Sequence, residues 1–288
     1  MSHTLSEVDP LLPRGDDEAI GIKPTPEEEH AYSRRPLGCP CPAIAAMINH
    51  SYLDSRNRFM CFRNPRDDED PLPFCQLVKV LRTCYHLSFP FAFLFVLLAN
   101  LRLGTLRTGG FTLKHLKTHG VIEHDASICR YDSSEGDALN PQSELVDQFI
   151  DGINYPPGLD EAKKMVNLND FAKKRIALED RLTSFLPQQP KSRIHLASLL
   201  FHSWIGEASL ALLTFADKSS PLYANDMCAR ADWLRIWYKE ERFPLELGWE
   251  NRRSGYKITL TKLIKTAIKL IRRTKSIEDS RSSSTQTS

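Results

Sequence analysis

Gly38-Cys39-Pro40-Cys41-Pro42-Ala43-Ile44-Ala45-Ala46-Met47-Ile48-Asn49-His50 reads as a loop that sets one thiol at the start of a short apolar helix. Cys41 falls at the N-cap and Pro42 at the first helical position, where a missing N–H is no loss. Ile44, Met47 and Ile48 recur at i, i+3 and i+4, the spacing of one buried face. A cysteine at a helix N-terminus meets unpaired backbone N–H groups and the positive end of the helix dipole, so a lowered thiol pKa is expected. Such a thiolate suits a metal ligand or a nucleophile. For a lone cysteine the plainer reading, a buried thiol acting as a small hydrophobe, is the commoner one. The rest of the chain decides between them.

The 288 residues are enough to bury a large core and fit one domain, or at most two. Lys and Arg number 38 against 36 Asp and Glu, a net charge of +2. That balance gives no support for a nucleic-acid partner. Seven scattered cysteines are an odd number. Met1 to Asp17 has no apolar core of the kind a secretory signal needs, so an intracellular, cytoplasmic protein with free thiols is expected. Cys39 and Cys41 have one residue between them and no second Cys/His pair at finger spacing, which argues against a zinc site.

Residues 1–35 read as a flexible polar arm, with Pro10, Pro13, Pro24 and Pro26 and the acidic run Glu27-Glu28-Glu29. Glu7-Val8-Asp9-Pro10-Leu11-Leu12 has acidic-dileucine spacing, a pattern common by chance. A proline-rich acidic loop follows from Asp54 to Pro73. Leu77, Val80, Leu81 and Cys84 then mark a helix that runs toward Phe89–Ala99, the most apolar segment. That stretch is shorter than the roughly 20 residues a membrane span needs, so a core helix is the better reading. Glu144–Ile150 is a short amphipathic helix, and Asn169 is a candidate cap for another. Trp233 to Trp249 reads as a helix stopped by Pro244 and followed by an aromatic turn, which looks like packing. Over 256–276, Leu260, Leu263, Ile264, Ala267, Ile268 and Ile271 share one face, and Lys262, Lys265, Lys269, Arg272 and Arg273 the other. Such a basic helix either lies on an anionic membrane or docks on the body. Residues 277–288 read as a disordered Ser/Thr tail. With no strand-like alternation of useful length, the fold class is all-α, with about eight or more helices.

Two stretches carry carboxylates in unusual settings. Glu123-His124-Asp125-Ala126-Ser127 follows two β-branched apolar residues. One helical turn would bring the Glu123 and Ser127 oxygens to one side, as a hard cation requires. A solvated capping turn is the plainer alternative, and Lys114, His115, Lys117 and His119 read as surface residues. Glu207 sits on the apolar stripe Leu200, Trp204, Ala208, Ala211 of a helix expected over residues 195–215. A carboxylate facing a core has a raised pKa, in the direction useful for proton transfer, unless it is paired with a buried cation.

Taken together, these pieces resemble the chloroperoxidase-like, or haem-thiolate peroxidase, family of fungi. Pro40-Cys41-Pro42 with Asn49-His50 and Tyr52-Leu53 is similar to the family's Pro-Cys-Pro…Asn-His-Gly-x-Leu. Glu123 to Ser127 is similar to its Glu-His-Asp-x-Ser. Gly206-Glu207-Ala208 is similar to the segment with the distal carboxylate, and Glu241-Arg242-Phe243-Pro244-Leu245-Glu246-Leu247-Gly248-Trp249 to its Glu-Arg-Leu-Pro-x-Glu-Leu-Gly-Trp. The four motifs occur in the family's order and place the domain over 36–255.

The resemblance implies a single peroxidase-like helical domain that binds haem b. Cys41 would be the axial thiolate, which favours O–O cleavage. Glu207 would be the catalytic acid–base, taking a proton from hydrogen peroxide and returning it to the departing oxygen. His124 would orient Glu207. Glu123, the His124 carbonyl and Ser127 would hold Mg²⁺ or Mn²⁺ against a haem propionate, with Asp125 bracing the loop. The partners implied are hydrogen peroxide and a small organic substrate to be oxygenated, halogenated or coupled, in the manner of fungal secondary metabolism. Ser51 departs from the pattern where the family has Gly, and Asp54-Ser55 where it has Pro-Arg. The altered loop leaves an alternative, a haem-free relative acting as a binding or non-redox pathway protein. Either version would touch a membrane, if at all, through 89–99 or 256–276.

Overall fold

Pro42 opens the first helix, α1 (Pro42–Asn49), and Cys41 is its N-cap in an extended conformation. The computed structural model describes residues 30–35, 37–53, 71–119, 122–124, 127–183, 204–224, 226–250 and 256–285. Most of the expected arm and most of the acidic loop after α1 lie outside the described residues. The chain continues through β1 (Leu72–Pro73), α2 (Phe74–Tyr85), α3 (Phe89–Leu103), β2 (Gly110–Phe111), α4 (Leu113–Leu116), α5 (Ser143–Asp151), β3 (Met165–Asn167) and α6 (Leu168–Thr183). It closes with α7 (Trp204–Phe215), β4 (Cys228–Arg230), α8 (Ala231–Glu240) and α9 (Leu260–Thr285). Nine α-helices and two short antiparallel strand pairs among the described residues make an all-α fold, as expected.

α1 is buried nearly all round rather than on one face. Ala45, Ala46 and Met47 have no exposed surface. Tyr85 anchors its first turn, donating its hydroxyl to the Ala43 carbonyl at 2.9 Å while accepting from Trp237 Nε1 at 3.3 Å. The helix ends on Ser51, which adopts the left-handed conformation (φ 54°) usual for a residue just past a helix C-terminus. This is the position where the resemblance called for Gly.

α2 and α3 form an antiparallel pair closed by β1 and β2 at their far ends. Gly110 is required there, because a Cβ would stand 2.1 Å from the Leu72 carbonyl oxygen. α3 spans 15 residues from its Ser88 N-cap to Gly104 in the left-handed region. Phe91, Ala92, Val96 and Ala99 are buried, while Phe89 and Phe93 reach solvent. No helix among the described residues is long and apolar enough to cross a membrane.

The cap of α6 is Asn167 rather than Asn169. The Asn167 side chain accepts from the Asn169 and Asp170 amides, and Asp170 accepts from the Asn167 amide at 3.0 Å. That reciprocal pair satisfies donors at both ends of the first turn.

α9 docks on the body: Leu263, Ala267 and Leu270 are buried against α6 and α7. Lys265, Lys269, Arg272 and Arg273 face solvent, and so does Ile268, against expectation. The helix also runs nine residues beyond its expected end at 276, through Thr285, into the expected tail. Serines inside a helix either point their hydroxyls to solvent or bond them back to the carbonyl one turn before. Ser280, Ser282 and Ser283 do so onto the Ser276, Glu278 and Asp279 carbonyls. Arg281 adds an ion pair to Asp180 on α6.

The turn after α8 is packing, as its composition suggested. Phe243 stacks on Trp249 with centroids 5.1 Å apart, and Phe215 of α7 packs against Trp249 and Trp237. Trp249 Nε1 donates to the Thr214 carbonyl at 3.3 Å, tying this turn to α7.

Candidate active site

One cavity collects the sequence-derived site. Cys41, Ile44 and Met47 line it from α1, Leu77 and Leu81 from α2, Phe95, Val96 and Ala99 from α3, and Glu207, Leu210 and Ala211 from α7, with His124 on the loop between. The cavity volume is about 150 Å³, and part of it opens to solvent. Its walls are mostly aliphatic and aromatic, and among the described residues the only carboxylate that lines it is Glu207.

Cys41 faces this cavity from the start of α1. The expected fall in its thiol pKa does not occur. Burial among apolar walls pushes the thiol up, and the pull of the Ile44 and Ala43 amides offsets only part of that. The amides do not close a cap hydrogen bond to the sulfur, so the cost of desolvating a thiolate prevails. Without a cation, Cys41 is a thiol. Cys39, two residues earlier, is buried off the cavity and donates its S–H to the Cys41 carbonyl at 3.5 Å.

Glu207 comes from the first turn of α7. Residues 195–203, the first part of the helix expected there, lie outside the described residues. Burial raises the Glu207 pKa, and His124, Arg130 and Tyr238 pull it back only in part. Its Oε2 stands 3.9 Å from His124 Nε2, beyond a hydrogen bond. Its Oε1 is buried outside hydrogen-bond geometry to any partner among the described residues. The hydroxyl of Tyr238 is in the same position, near enough to act on the carboxyl but closing no hydrogen bond. The carboxylate is close enough to Cys41 to raise the thiol pKa. A buried oxygen without a partner is costly, which fits an atom kept for a ligand.

The donor set fits a haem. Cys41 would offer a soft sulfur ligand, the walls are mostly apolar, and Glu207 Oε1 would offer a proton acceptor in the same cavity. The side chains expected to hold a divalent cation carry protein partners here. The buried Glu123 carboxylate is engaged by His119, four residues earlier. Ser127 Oγ is turned to Cys129, accepting its amide at 3.4 Å. Among the described residues no three His, Cys, Asp or Glu side chains gather as a metal site. Asp125, expected to brace the loop, lies outside the described residues.

Asn49 and His50 do not reach the cavity. Asn49 Nδ2 donates to the Glu241 carbonyl at 3.2 Å, and its Oδ1 accepts the Arg35 amide at 3.0 Å. His50 Nε2 accepts the Phe243 amide, and its Nδ1 faces the His30 carbonyl at 2.9 Å. This motif latches the end of α1 to the turn after α8.

Arg130 escapes a reading of the sequence. It is buried, and its guanidinium pairs with Glu241 while donating to the Cys39 carbonyl at 2.9 Å. The available signal is an arginine three residues past Ser127, in a run otherwise free of Lys and Arg.

The model of the family described as Peroxidase, family 2 matches residues 30–254. A chloroperoxidase of Leptoxyphium fumago is 22% identical over 218 residues, covering 73% of this chain and 53% of that protein. The chain thus spans about half the length of the curated relative it matches.

Proposed function

The chain belongs to peroxidase family 2, and on that premise we propose that it is a haem-thiolate peroxidase or peroxygenase that oxidises a small organic substrate with hydrogen peroxide. The observation that carries this reading is the shared cavity of Cys41 and Glu207. Cys41 would hold haem iron as a thiolate, since coordination to a metal cation deprotonates a thiol outright. When bound, the haem supplies the redox chemistry, and a thiolate ligand favours cleavage of the O–O bond of peroxide.

The chain's own contribution is proton handling and shape. Glu207 Oε1, buried and without a hydrogen bond among the described residues, would take a proton from peroxide and return it to the leaving oxygen. The rise of its pKa by burial brings it nearer the pH at which it must both accept and donate. His124, 3.9 Å from Oε2, limits the carboxylate's orientations and favours its charged form. Apolar walls from α2, α3 and α7 exclude water and select an uncharged organic substrate.

The reduced, carbon monoxide-bound spectrum of haem-loaded protein tests this reading. A red-shifted band typical of thiolate ligation is expected, and Cys41→Ala should abolish it. Protein that takes up no haem on reconstitution would overturn the proposal and leave the haem-free alternative.

A further inference from the structure

Arg130 makes four contacts with one side chain. Its Nη2 donates to the Cys39 carbonyl at 2.9 Å and pairs with Glu241 Oε1. Its Nη1 lies 2.8 Å from Cys129 Sγ, and its Nε donates to the Leu139 carbonyl at 3.2 Å. These partners lie on separate segments. Cys39 belongs to the loop that carries Cys41. Cys129 lies just past the Glu123–Ser127 turn. Glu241 closes α8 in the left-handed conformation (φ 52°), one turn beyond Trp237 on the cavity wall. A guanidinium presents its donors in a fixed planar fork, so it sets the angles between these segments as well as their spacing. A lysine has one nitrogen and does not span them.

We propose that Arg130 is a positioning residue that locks the Cys41 loop to the Glu241 turn and sets a fixed positive charge beside that loop. The charge part rests on the haem-thiolate reading above, whereas the lock does not. Burial works against the guanidinium charge, and the Glu241 carboxylate paired with it offsets that cost. Held on the Cys39 carbonyl, two residues before Cys41, the Arg130 charge favours an anionic ligand there, and the paired Glu241 sets how much of that charge the ligand feels.

Two variants separate the lock from the charge. Arg130→Lys keeps the charge and loses the fork. Amide hydrogen exchange of the haem-free variant should quicken roughly tenfold in segments 37–45 and 241–249, and stay unchanged over 260–275. Glu241→Gln keeps an acceptor for the fork and removes the counter-charge. In haem-loaded protein the iron reduction potential should rise, with the thiolate-type carbon monoxide band retained. Exchange at wild-type rates in Arg130→Lys would overturn the lock, and an unchanged potential in Glu241→Gln would overturn the charge role. If Arg130→Lys does not fold, Glu241→Ala, which removes the acceptor of the fork, takes its place, with the same quickening expected in 37–45 and wild-type rates overturning the lock. If wild-type protein takes up no haem, the functional reading fails and the exchange measurement still decides the lock.

Discussion

The amide of Phe243 donates to Nε2 of His50 at 3.1 Å, across 193 residues of sequence. The other ring nitrogen, Nδ1, therefore carries the proton toward the His30 carbonyl. Both ring nitrogens are committed to the neutral imidazole, because a proton on Nε2 would face the Phe243 N–H. Burial lowers the His50 pKa, the His30 carbonyl opposes that in part, and Arg242 adds to it.

A pH dependence follows from this pair. A histidine whose folded pKa lies below its unfolded value binds fewer protons when folded. Its contribution is complete above the unfolded value of 6.5 and is lost as pH falls through the folded value. Thermal unfolding of wild-type protein should therefore drop in midpoint as pH falls below 6.5. In His50→Gln that drop should shrink, because Gln accepts from Phe243 without titrating. Equal pH profiles for the two proteins would show that His50 is not held neutral.

Ser51 offers a gain in stability. It ends α1 at φ 54°, where a Cβ crowds the backbone and Gly does not. Its hydroxyl recovers part of that cost by accepting from Arg35 Nη2 at 3.1 Å. Ser51→Gly should stabilise the protein by about 0.5–1 kcal/mol, relief of strain outweighing one partly exposed hydrogen bond. The unfolding midpoint should rise by about 1–3 °C. A lower midpoint would mean that the Arg35 contact dominates.

The parts of this molecule that sequence reveals are those set by neighbours in sequence. Pro42 after Cys41 announces a helix start, and the run from Phe89 to Ala99 announces a buried helix. Glu207 stands out because its neighbours on the same stripe are apolar. What sequence conceals depends on distant segments meeting. Arg130 finds its partners 91 and 111 residues away. The Asn49-His50 pair belongs to the same motif as Cys41 but reaches the turn after α8 instead of the cavity. The direction of the Cys41 pKa is hidden for the same reason. The dipole of α1 is local, whereas the apolar walls that outweigh it come from α2, α3 and α7. The length of α9 is hidden because hydroxyls that bond back along a helix leave no mark in composition.

Ala208 and Ala211 separate core from cavity on one helix. Both are buried, but only Ala211 lines the cavity. Ala208→Leu forces a larger side chain into packed space and should cost about 1–3 kcal/mol. Ala211→Leu has room in the cavity and should cost less than about 1 kcal/mol of stability, while lowering haem uptake in a Soret titration. Denaturant midpoints and titration of the two variants should move in opposite order. An Ala211→Leu protein that loads haem like wild type would place the haem elsewhere.

Glu207 brings function and stability into conflict. Burial raises its pKa, and among the described residues Oε1 closes no hydrogen bond. A carboxyl whose folded pKa exceeds its unfolded value binds more protons when folded, so it is neutral in cost below pH 4.5 and destabilising above its folded value. Glu207→Gln removes the charge at constant shape. Haem-free Glu207→Gln should be more stable than wild type at about pH 7, because the buried charge is gone while the shape is kept. The difference should close as the pH of the unfolding experiment is lowered toward 4.5. The same substitution should abolish peroxide turnover while leaving the carbon monoxide spectrum in place, since it does not touch Cys41. A variant that is less stable than wild type at neutral pH would show that the carboxylate is satisfied in the folded protein, and the case for a proton-accepting Oε1 would fall with it.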